Sequence, residues 1–305
     1  MYLEHFYLEN LPFTLTPNTR FYCDLPNHQA TLNVLLFSLK SREGFIKIVG
    51  EVGSGKTLLC RKLLNGLADD FITAYIPNPD LNPNGLRKAL ALELGITIPR
   101  PCDQNDLLTL INKKLTALHA EGKHAVFVID EAQALPDQSL ETLRLLSNLE
   151  TESEKLLQIV LFGQPELNAK LAQHSLRQLN QRITFSYYLN PLSRNDLDSY
   201  ISHRLAVAGH TKDDLFHKKA KDMLYQSSQG IPRIINILSH KALLVAYGRG
   251  HRNVSTKDML AAIKDSRELI YKKSSSSKAL LFTTCLAVAA AFGISFVHYI
   301  NFVKI

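Results

Sequence analysis

Gly50-Glu51-Val52-Gly53-Ser54-Gly55-Lys56-Thr57 matches the pattern G-x-x-x-x-G-K-[ST] without a mismatch. The preceding run, residues 45–49, is short and rich in β-branched side chains, which predicts a buried strand. The following run, residues 58–64, carries apolar side chains at helical spacing, which predicts a helix. A strand, a glycine loop and a helix in this order indicate a phosphate-binding loop, and a glycine-rich turn that matches by chance is the alternative.

The residues of this loop have separate expected roles at a bound nucleotide. We expect its three glycines to adopt positive φ angles and to turn backbone N–H groups onto phosphate oxygens. The N-terminus of the following helix would add the positive end of its dipole. Lys56 would reach the β- and γ-phosphates of ATP, and Thr57 would offer its hydroxyl to Mg²⁺. The expected cofactor-binding residues of this stretch are Gly50, Gly53, Ser54, Gly55, Lys56, Thr57 and Leu58.

The formal net charge of +7 is concentrated near the C-terminus. Residues 1–251 hold 27 Lys and Arg against 25 Asp and Glu, whereas residues 252–278 hold seven against three. Because the main body is close to neutral, the charge argues against a nucleic-acid partner. The four cysteines show no C-x-x-C spacing, which favours free thiols over a zinc or redox motif. No cleaved signal peptide is expected at the N-terminus.

Strand and helix patterns alternate over residues 45–189. The predicted strands are residues 45–49, 71–76, 124–129, 156–162 and 183–189, and the predicted helices among them are residues 58–64, 84–94, 104–120, 137–150 and 167–179. This alternation predicts an α/β fold with a parallel sheet and right-handed crossovers. Strand signals cease after Ser193, and four helix patterns between residues 197 and 268 predict a second, all-helical domain.

The first 24 residues are rich in aromatic side chains and punctuated by prolines, which predicts an extended, turn-rich segment. Its apolar residues could pack against the first predicted helix, residues 27–41, or they could wall an adenine pocket. The full expected partition is an N-terminal linker and helix (1–44), an α/β nucleotide core (45–192), a helical lid (193–271), a linker (272–278) and a transmembrane helix (279–303).

The last predicted element has the composition of a membrane span. Residues 279–303 contain no Asp, Glu, Lys or Arg, and 25 helical residues can cross a hydrocarbon core of ~30 Å. A buried C-terminal helix is the alternative. Five basic residues precede the span and one follows it: Lys264, Arg267, Lys272, Lys273 and Lys278 before, Lys304 after. The positive-inside rule then places the N-terminal body in the cytoplasm, with a single pass through the membrane.

Two carboxylates follow the third predicted strand. Asp130 closes this apolar run and can hold the Mg²⁺ shell beside Thr57, so these two are the expected metal ligands. Glu131 can polarise an attacking water as the general base. An acidic pair with only a structural role at a strand end is the alternative. An apolar strand ending in Asp-Glu downstream of a matched phosphate loop favours hydrolysis.

Four further polar residues are candidates for sensing or completing the site. Gln164 ends the next strand and could contact the γ-phosphate or orient water, or it could cap the following turn. Arg177 or Arg182 could reach the γ-phosphate of a neighbouring subunit, or both could be surface arginines. Arg233, in the second domain, could reach across to the nucleotide or face solvent. With Glu131 and Lys56, we expect Gln164 and Arg182 to form the catalytic set, and Arg233 to bind nucleotide.

Together these motifs resemble the ExeA/GspA secretion ATPases, and the resemblance covers residues 1 to about 270. The motifs are residues 50–57, 128–133, 163–167, 179–183 and 230–233, after an N-terminal stretch with Met1-Tyr2-Leu3-Glu4-His5-Phe6, Pro12-Phe13 and Thr16-Pro17. The resemblance implies an AAA+ ATPase with a helical lid that forms a homo-oligomeric ring, with a hexamer as one form, in which a neighbour completes each site. It implies a Walker B role for Asp130-Glu131, sensor roles for Gln164 and Arg233, and an arginine-finger role for Arg182.

The sequence departs from the family pattern at Tyr7, where Gly is usual, and at Asn18, where Asp is usual. Secretion members continue beyond the membrane span into a periplasmic peptidoglycan-binding domain, whereas this sequence stops at Ile305. We therefore do not expect this chain to bind peptidoglycan directly, and the shorter, pilus-associated members of the family fit better.

The expected function is that of an ATPase anchored in the bacterial inner membrane, which hydrolyses ATP to support assembly of a type IV (MSHA-like) pilus or a type II secretion complex. Its expected partners are the assembly proteins of that complex. Two alternatives remain open at this point. One is a DNA-handling ATPase of the transposition-helper kind, and the other is an ATP-gated scaffold with slow turnover.

Overall fold

The computed structural model describes residues 2–152, 154–211 and 214–267. Its centre is a five-stranded parallel sheet in the order β2-β3-β4-β1-β5. The strands are β1 (Phe45–Gly50), β2 (Phe71–Ile76), β3 (His124–Ile129), β4 (Leu157–Gly163) and β5 (Phe185–Leu189). Because every neighbouring pair is parallel, the carboxyl ends of all five strands lie along one edge, where functional loops of such sheets usually meet.

Helices cover both faces of this sheet and form a separate layer beyond it. Those of the N-terminal part and the α/β core are α1 (Tyr2–His5), α2 (Pro26–Lys40), α3 (Lys56–Gly66), α4 (Pro83–Glu93), α5 (Gln104–Ala120), α6 (Asp137–Leu146), α7 (Glu166–Leu171) and α8 (Arg177–Asn180). Those of the lid are α9 (Arg194–Val207), α10 (Lys218–Ser228), α11 (Pro232–Gly248) and α12 (Thr256–Asp265). The predicted α/β fold with a parallel sheet flanked by helices is confirmed.

Alternate side chains of β1 to β4 enter two different hydrophobic cores, as a pleated sheet covered on both faces requires. Phe45 and Val49 of β1 pack with α4 to α7, whereas Ile46 and Ile48 pack with α2 and α3. All six residues of β1 are buried. The strand that leads into the phosphate loop is therefore fixed from both sides.

The prediction of one continuous helix over residues 167–179 is wrong. The chain forms two short helices, α7 and α8, joined by a 3₁₀ turn at His174–Leu176. Three exposed polar residues in a row, Gln173, His174 and Ser175, interrupt the apolar stripe there, so a continuous helix would have no buried face. The helix predicted over 137–150 likewise ends early, at Leu146, where the Ser147 hydroxyl donates to the Arg144 carbonyl.

The N-terminal aromatic residues pack mainly in the lid rather than against α2. Tyr2, Phe6, Phe13 and Phe21 share one core with α9 to α12, and the Phe13 and Phe216 rings meet edge to face at 5.9 Å. The segment is also less extended than predicted, because Tyr2–His5 is helical and Thr19–Phe21 forms a 3₁₀ turn. The start of the chain therefore bridges the lid and the nucleotide core.

The predicted linker (272–278) and transmembrane helix (279–303) lie outside the described residues. Among the residues that the structure describes, no helix combines the length and the apolar character that crossing a membrane requires.

Candidate nucleotide-binding site

The phosphate loop runs from the end of β1 to the start of α3, as its sequence predicts. Gly53 and Gly55 have φ angles of 80° and 101°, in the left-handed region that favours glycine. Gly50 does not share this conformation, so the prediction of positive φ at all three glycines is wrong there. Gly50 is the last residue of β1, and a Cβ on it would lie 2.8 Å from Ser54 Oγ. Space rather than backbone angle requires glycine at this position.

Lys56 is held inside the loop that precedes it. Its Nζ donates hydrogen bonds to the carbonyl oxygens of Gly50 at 2.8 Å and Glu51 at 3.0 Å, and the residue is 4% exposed. Burial lowers the pKa of the Lys56 ammonium, and the nearby carboxylates of Glu131 and Asp130 oppose that shift. The amine is thus fixed at the mouth of the loop, where a phosphate oxygen could replace a carbonyl as its acceptor.

Asp130 follows β3 directly and is 1% exposed. Burial raises the pKa of its carboxyl, while a hydrogen bond from the Thr57 hydroxyl and one from the Glu131 N–H at 2.9 Å lower it. The structure therefore brings Asp130 and Thr57 together. A carboxylate and a hydroxyl are hard oxygen donors of the kind that Mg²⁺ prefers. In the described part of the chain no group of three or more His, Cys, Asp or Glu could hold a metal. A Mg²⁺ ion bound chiefly through nucleotide phosphates needs only one or two protein ligands.

Two glutamine amides hold the carboxylate of Glu131. Gln164 Nε2 donates to Glu131 Oε2 at 2.8 Å, and Gln133 Nε2 donates to the same oxygen at 2.5 Å. The Gln133 side chain also accepts a hydrogen bond from the Gln164 backbone N–H at 3.0 Å, so the three side chains form one unit. Glu131 itself has a φ of 51°, an uncommon angle that re-aims its side chain after the strand. Sequence reasoning assigned no role to Gln133, although it lies only two residues after Glu131.

The loop and Glu131 open into a cavity of about 290 Å³ between the N-terminal segment and the lid. From the N-terminal segment it is lined by Thr14, Leu15, Thr16, Pro17 and Asn18; from the loop and its helix by Val52, Gly53, Gly55, Lys56, Thr57 and Leu58; and from the lid by Tyr200, Arg204, Pro232, Arg233 and Asn236. Apolar residues of the first 24 thus do line a pocket beside the phosphate loop. Three polar residues of the lid, Tyr200, Arg204 and Asn236, line the opposite wall. The sequence alone predicts no role for them.

These three lid residues form a buried hydrogen-bond network. Arg204 donates to the Pro12 carbonyl at 2.6 Å and to the Tyr200 hydroxyl at 3.1 Å, and that hydroxyl donates to Asn236 Oδ1 at 3.0 Å. Asn236 in turn donates to the Thr14 carbonyl at 3.3 Å. The Arg204 guanidinium also lies 5.0 Å above the Phe21 ring centroid. The network ties the lid to the N-terminal segment and sets the distance between two walls of the cavity.

Arg233 lies where α11 begins, directly against the phosphate loop. Its backbone N–H donates to the Gly53 carbonyl at 3.1 Å, and its side chain lines the cavity. This N–H belongs to the first turn of α11 and therefore has no partner within the helix. The lid is thus bonded to the loop that would hold the phosphates. Arg233 therefore lies in the position that a lid residue needs in order to reach across to a bound nucleotide.

Neither arginine proposed to act on a neighbour lines the cavity of its own chain. Arg182 donates from Nη1 to Ser147 Oγ at 3.1 Å, and Arg177 is exposed at the start of α8. Within a single chain the structure therefore brings together Lys56, Thr57, Asp130, Glu131 and Gln164, places Arg233 at the lid side, and leaves Arg182 outside.

Comparison with known proteins supplies the family. A family profile described as an AAA domain matches residues 39–171. The chain is 42% identical over 262 residues to General secretion pathway protein A of Aeromonas hydrophila, an alignment that covers 86% of this chain and 48% of that relative. The chain belongs to the ExeA/GspA-type AAA+ family. It spans about half the length of this relative.

Solved structures with the same fold are more distant in sequence from this ExeA/GspA-type chain. CDC6P from Pyrobaculum aerophilum has a TM-score of 0.64 and 18% identity, with 83% of this chain and 70% of that chain covered. The ORC2 protein of Aeropyrum pernix, in ADPNP-ADP complexes, has a TM-score of 0.57 and 17% identity, with 82% and 72% covered. At such identities the similarity concerns the fold.

The contact between lid and loop in this ExeA/GspA-type protein predicts a strong effect of Gly53→Ala. A Cβ at Gly53 would lie 2.5 Å from Arg233 Cβ, and the φ of 80° is unfavourable for alanine. Because the lid must move away from the loop, we expect affinity for an ATP analogue to fall by roughly tenfold or more, the factor that ~1.4 kcal/mol represents. Isothermal titration calorimetry with the full chain measures this affinity.

Gly66→Ala is the matched control for this prediction. Gly66 ends α3, its φ is not positive, and no atom lies within 4 Å of a Cβ built there. The same substitution there should leave affinity unchanged. Equal affinities of Gly53→Ala and the parent protein would show that the lid contact does not govern nucleotide binding.

Proposed function

We propose that this protein binds ATP in the cavity between its phosphate loop and its lid and hydrolyses it. The observation that carries the proposal is the grouping of Lys56, Thr57, Asp130 and Glu131 at one edge of the sheet, with Glu131 held by Gln164. Phosphoryl transfer depends mainly on positioning and on stabilising negative charge, and this grouping supplies an ammonium, a metal-binding pair and a carboxylate base.

Each of these residues has a distinct task in the proposed reaction. Lys56 and the loop N–H groups bind and orient the phosphates, and the adjacent start of α3 favours their negative charge. Mg²⁺ held by Thr57 and Asp130 would neutralise charge that develops on the phosphate oxygens. Glu131 accepts the proton of the attacking water, and two amides fix the direction of its carboxylate.

We further propose that the active form is a homo-oligomeric ring in which Arg182 of one subunit faces the nucleotide of the next. The position of Arg182 outside the cavity of its own chain supports this arrangement. An arginine supplied by a neighbour stabilises the charge of the transition state and makes hydrolysis depend on assembly.

For the cellular role, we propose energy-dependent assembly of a type II secretion complex or a related type IV pilus at the bacterial inner membrane. The similarity to General secretion pathway protein A supports the secretion-type pathway. The uncharged residues 279–303 support a single membrane pass, and the preceding basic residues support a cytoplasmic position for the nucleotide domain. The near-neutral charge of residues 1–251 favours protein clients over nucleic acid.

A complementation experiment tests this role. In a strain of the source organism that lacks the gene, we expect the parent protein to restore secretion or surface pili and Lys56→Ala to fail at equal protein level. Lys40→Ala, which changes an exposed lysine at the end of α2, is the control and should complement fully. If Lys56→Ala complements as well as the parent, ATP use by this site is not required. Salt-sensitive DNA binding by the full chain, with no effect on secretion or pili, would favour the DNA-handling alternative instead.

A further inference from the structure

The last described helix carries a basic and apolar stripe on its outer side. Lys257, Leu260 and Lys264 of α12 are exposed and lie at i, i+3 and i+7, so they share one helical face. The opposite side of α12 packs into the lid core through Met259 and Ala262. Leu260 is 43% exposed, so the stripe presents an apolar side chain between two lysines.

This stripe borders a surface cavity of about 390 Å³, lined by Arg249, His251, Lys257, Leu260, Ala261 and Lys264. We call these six residues the basic face. Over residues 249–267 the chain holds five Lys or Arg and two Asp, a formal net charge of +3. The excess of positive charge predicted from sequence for the C-terminal region therefore begins on the folded lid.

Both aspartates of this segment are already engaged with cations. Asp258 is buried, and it accepts from Arg249 Nη1 at 2.8 Å and contacts His251 Nδ1 at 3.0 Å. Asp265 pairs with Lys241 at 2.7 Å, away from the cavity. Lys257 and Lys264 form no ion pair with any residue among those described. Their positive charges are thus available to an external anion, while Asp258 holds the side chains of Arg249 and His251 in place.

The sequence that follows α12 indicates which anionic surface the basic face meets. Eleven residues, 268–278, lie between Arg267 and Ala279, where the uncharged stretch 279–303 begins, so twelve residue-to-residue steps connect the two. Even fully extended, these twelve steps span only ~40 Å, at about 3.4 Å per step. If residues 279–303 cross a bilayer, Arg267, two residues after the end of α12, stays within that distance of the headgroups, whatever conformation the linker has.

We propose that the basic face docks the lid onto the anionic lipid headgroups of the membrane that anchors the chain. Lys257 and Lys264 contact lipid phosphates, and Leu260 enters the interfacial layer between them. The inference rests on the membrane anchoring proposed above. Because Arg233 of the same lid is bonded to the phosphate loop, docking would restrain the element that closes the nucleotide cavity. A nucleic-acid partner fits less well, since the face is small and carries an exposed leucine.

Lysine footprinting of the full chain in lipid nanodiscs tests the proposal. The nanodiscs contain phosphatidylcholine alone or with about one third phosphatidylglycerol, and trace acylation of each lysine is measured by mass spectrometry. We expect Lys257 and Lys264 to be labelled about fivefold more slowly in the anionic discs, since each basic residue gains ~1 kcal/mol near such a surface. High salt should abolish the difference. Lys40 and Lys113, exposed on α2 and α5, are internal controls and should be labelled equally in both.

Equal labelling of Lys257 and Lys264 in the two kinds of nanodisc would overturn the proposal. Protection of these lysines by a DNA duplex added to neutral nanodiscs, without protection by anionic lipid, would overturn it in favour of nucleic acid.

Flotation with vesicles separates this proposal from the proposed anchoring. A full chain that floats with neutral vesicles is anchored independently of the basic face, and footprinting then decides the proposal. A full chain that does not float with neutral vesicles lacks the anchor. In that case, the parent chain should float with anionic vesicles and the double variant Lys257→Glu, Lys264→Glu should not. This result supports docking of the basic face onto anionic lipid. The double variant Lys40→Glu, Lys113→Glu, with the same change of net charge, is the control. Flotation unaffected by Lys257→Glu, Lys264→Glu counts against the proposal.

Discussion

Glu131→Gln is expected to lower the rate of ATP hydrolysis by about 10²–10⁴-fold while leaving ATP affinity nearly unchanged. A glutamine has the same size and can still accept a hydrogen bond from Gln164 through its carbonyl oxygen, so the local structure should persist. The amide cannot accept a proton from the attacking water, so only the chemical step should suffer. Steady-state turnover of the full chain and binding of a fluorescent ATP analogue measure the two quantities separately.

Glu121→Gln is the matched control for this variant. Glu121 lies exposed after α5 and pairs only with Lys123 in the described structure, so the same chemical change there should leave turnover intact. Normal turnover by Glu131→Gln would mean that another group accepts the proton. Lost turnover together with lost affinity would instead assign Glu131 to binding.

The geometry around Glu131 explains why Glu131→Gln should lower kcat and leave KM nearly unchanged. The two amides that contact its Oε2 come from different elements, Gln133 from the turn after β3 and Gln164 from the end of β4. Both donate hydrogen bonds, which hold the carboxylate in one orientation. A base held in this way serves the transition state without contributing to the ground-state binding of nucleotide.

The residues that sequence reasoning placed well are those whose position depends on strand order alone. Residues 51–57, Asp130 and Gln164 each follow a buried strand directly, and the carboxyl ends of parallel strands meet at one edge. Their mutual proximity could therefore be expected without side-chain detail. Gly50 is an exception, because the motif alone does not show whether a glycine is needed for its backbone angle or for space.

The remaining parts of the site depend on contacts between distant segments. The hydrogen bond from Arg204 to the Pro12 carbonyl joins residues 192 positions apart, and the Asn236–Thr14 contact spans 222. A helical pattern shows which side of α9 or α11 is apolar, but it does not show which segment covers that side. For the same reason the aromatic residues of the N-terminal segment were not assigned to the lid core. Long-range packing, rather than any local signal, decides both.

Arg182→Ala is expected to lower turnover by about 10³-fold or more if Arg182 acts on the nucleotide of a neighbouring subunit. The side chain contacts Ser147 and lies outside the cavity of its own chain, so its loss should leave ATP affinity and folding largely intact. Arg177→Ala, at an exposed arginine five residues earlier, is the control and should retain turnover if Arg182 is the acting residue. Turnover and thermal melting of the purified full chain provide the measurements.

Mixing two inactive variants distinguishes action in trans from a structural role of Arg182. In a ring of Arg182→Ala and Glu131→Gln chains, some interfaces combine an intact Glu131 from one subunit with an intact Arg182 from its neighbour. With equal amounts and random assembly these are about a quarter of all interfaces, because a closed ring uses one type of head-to-tail contact. We therefore expect the mixture to regain up to about a quarter of the parent rate, whereas neither variant alone does. A mixture as inactive as its components would show that both residues must act within the same chain. Arg182 would then support the site through Ser147 and the end of α6 rather than complete the site of a neighbour.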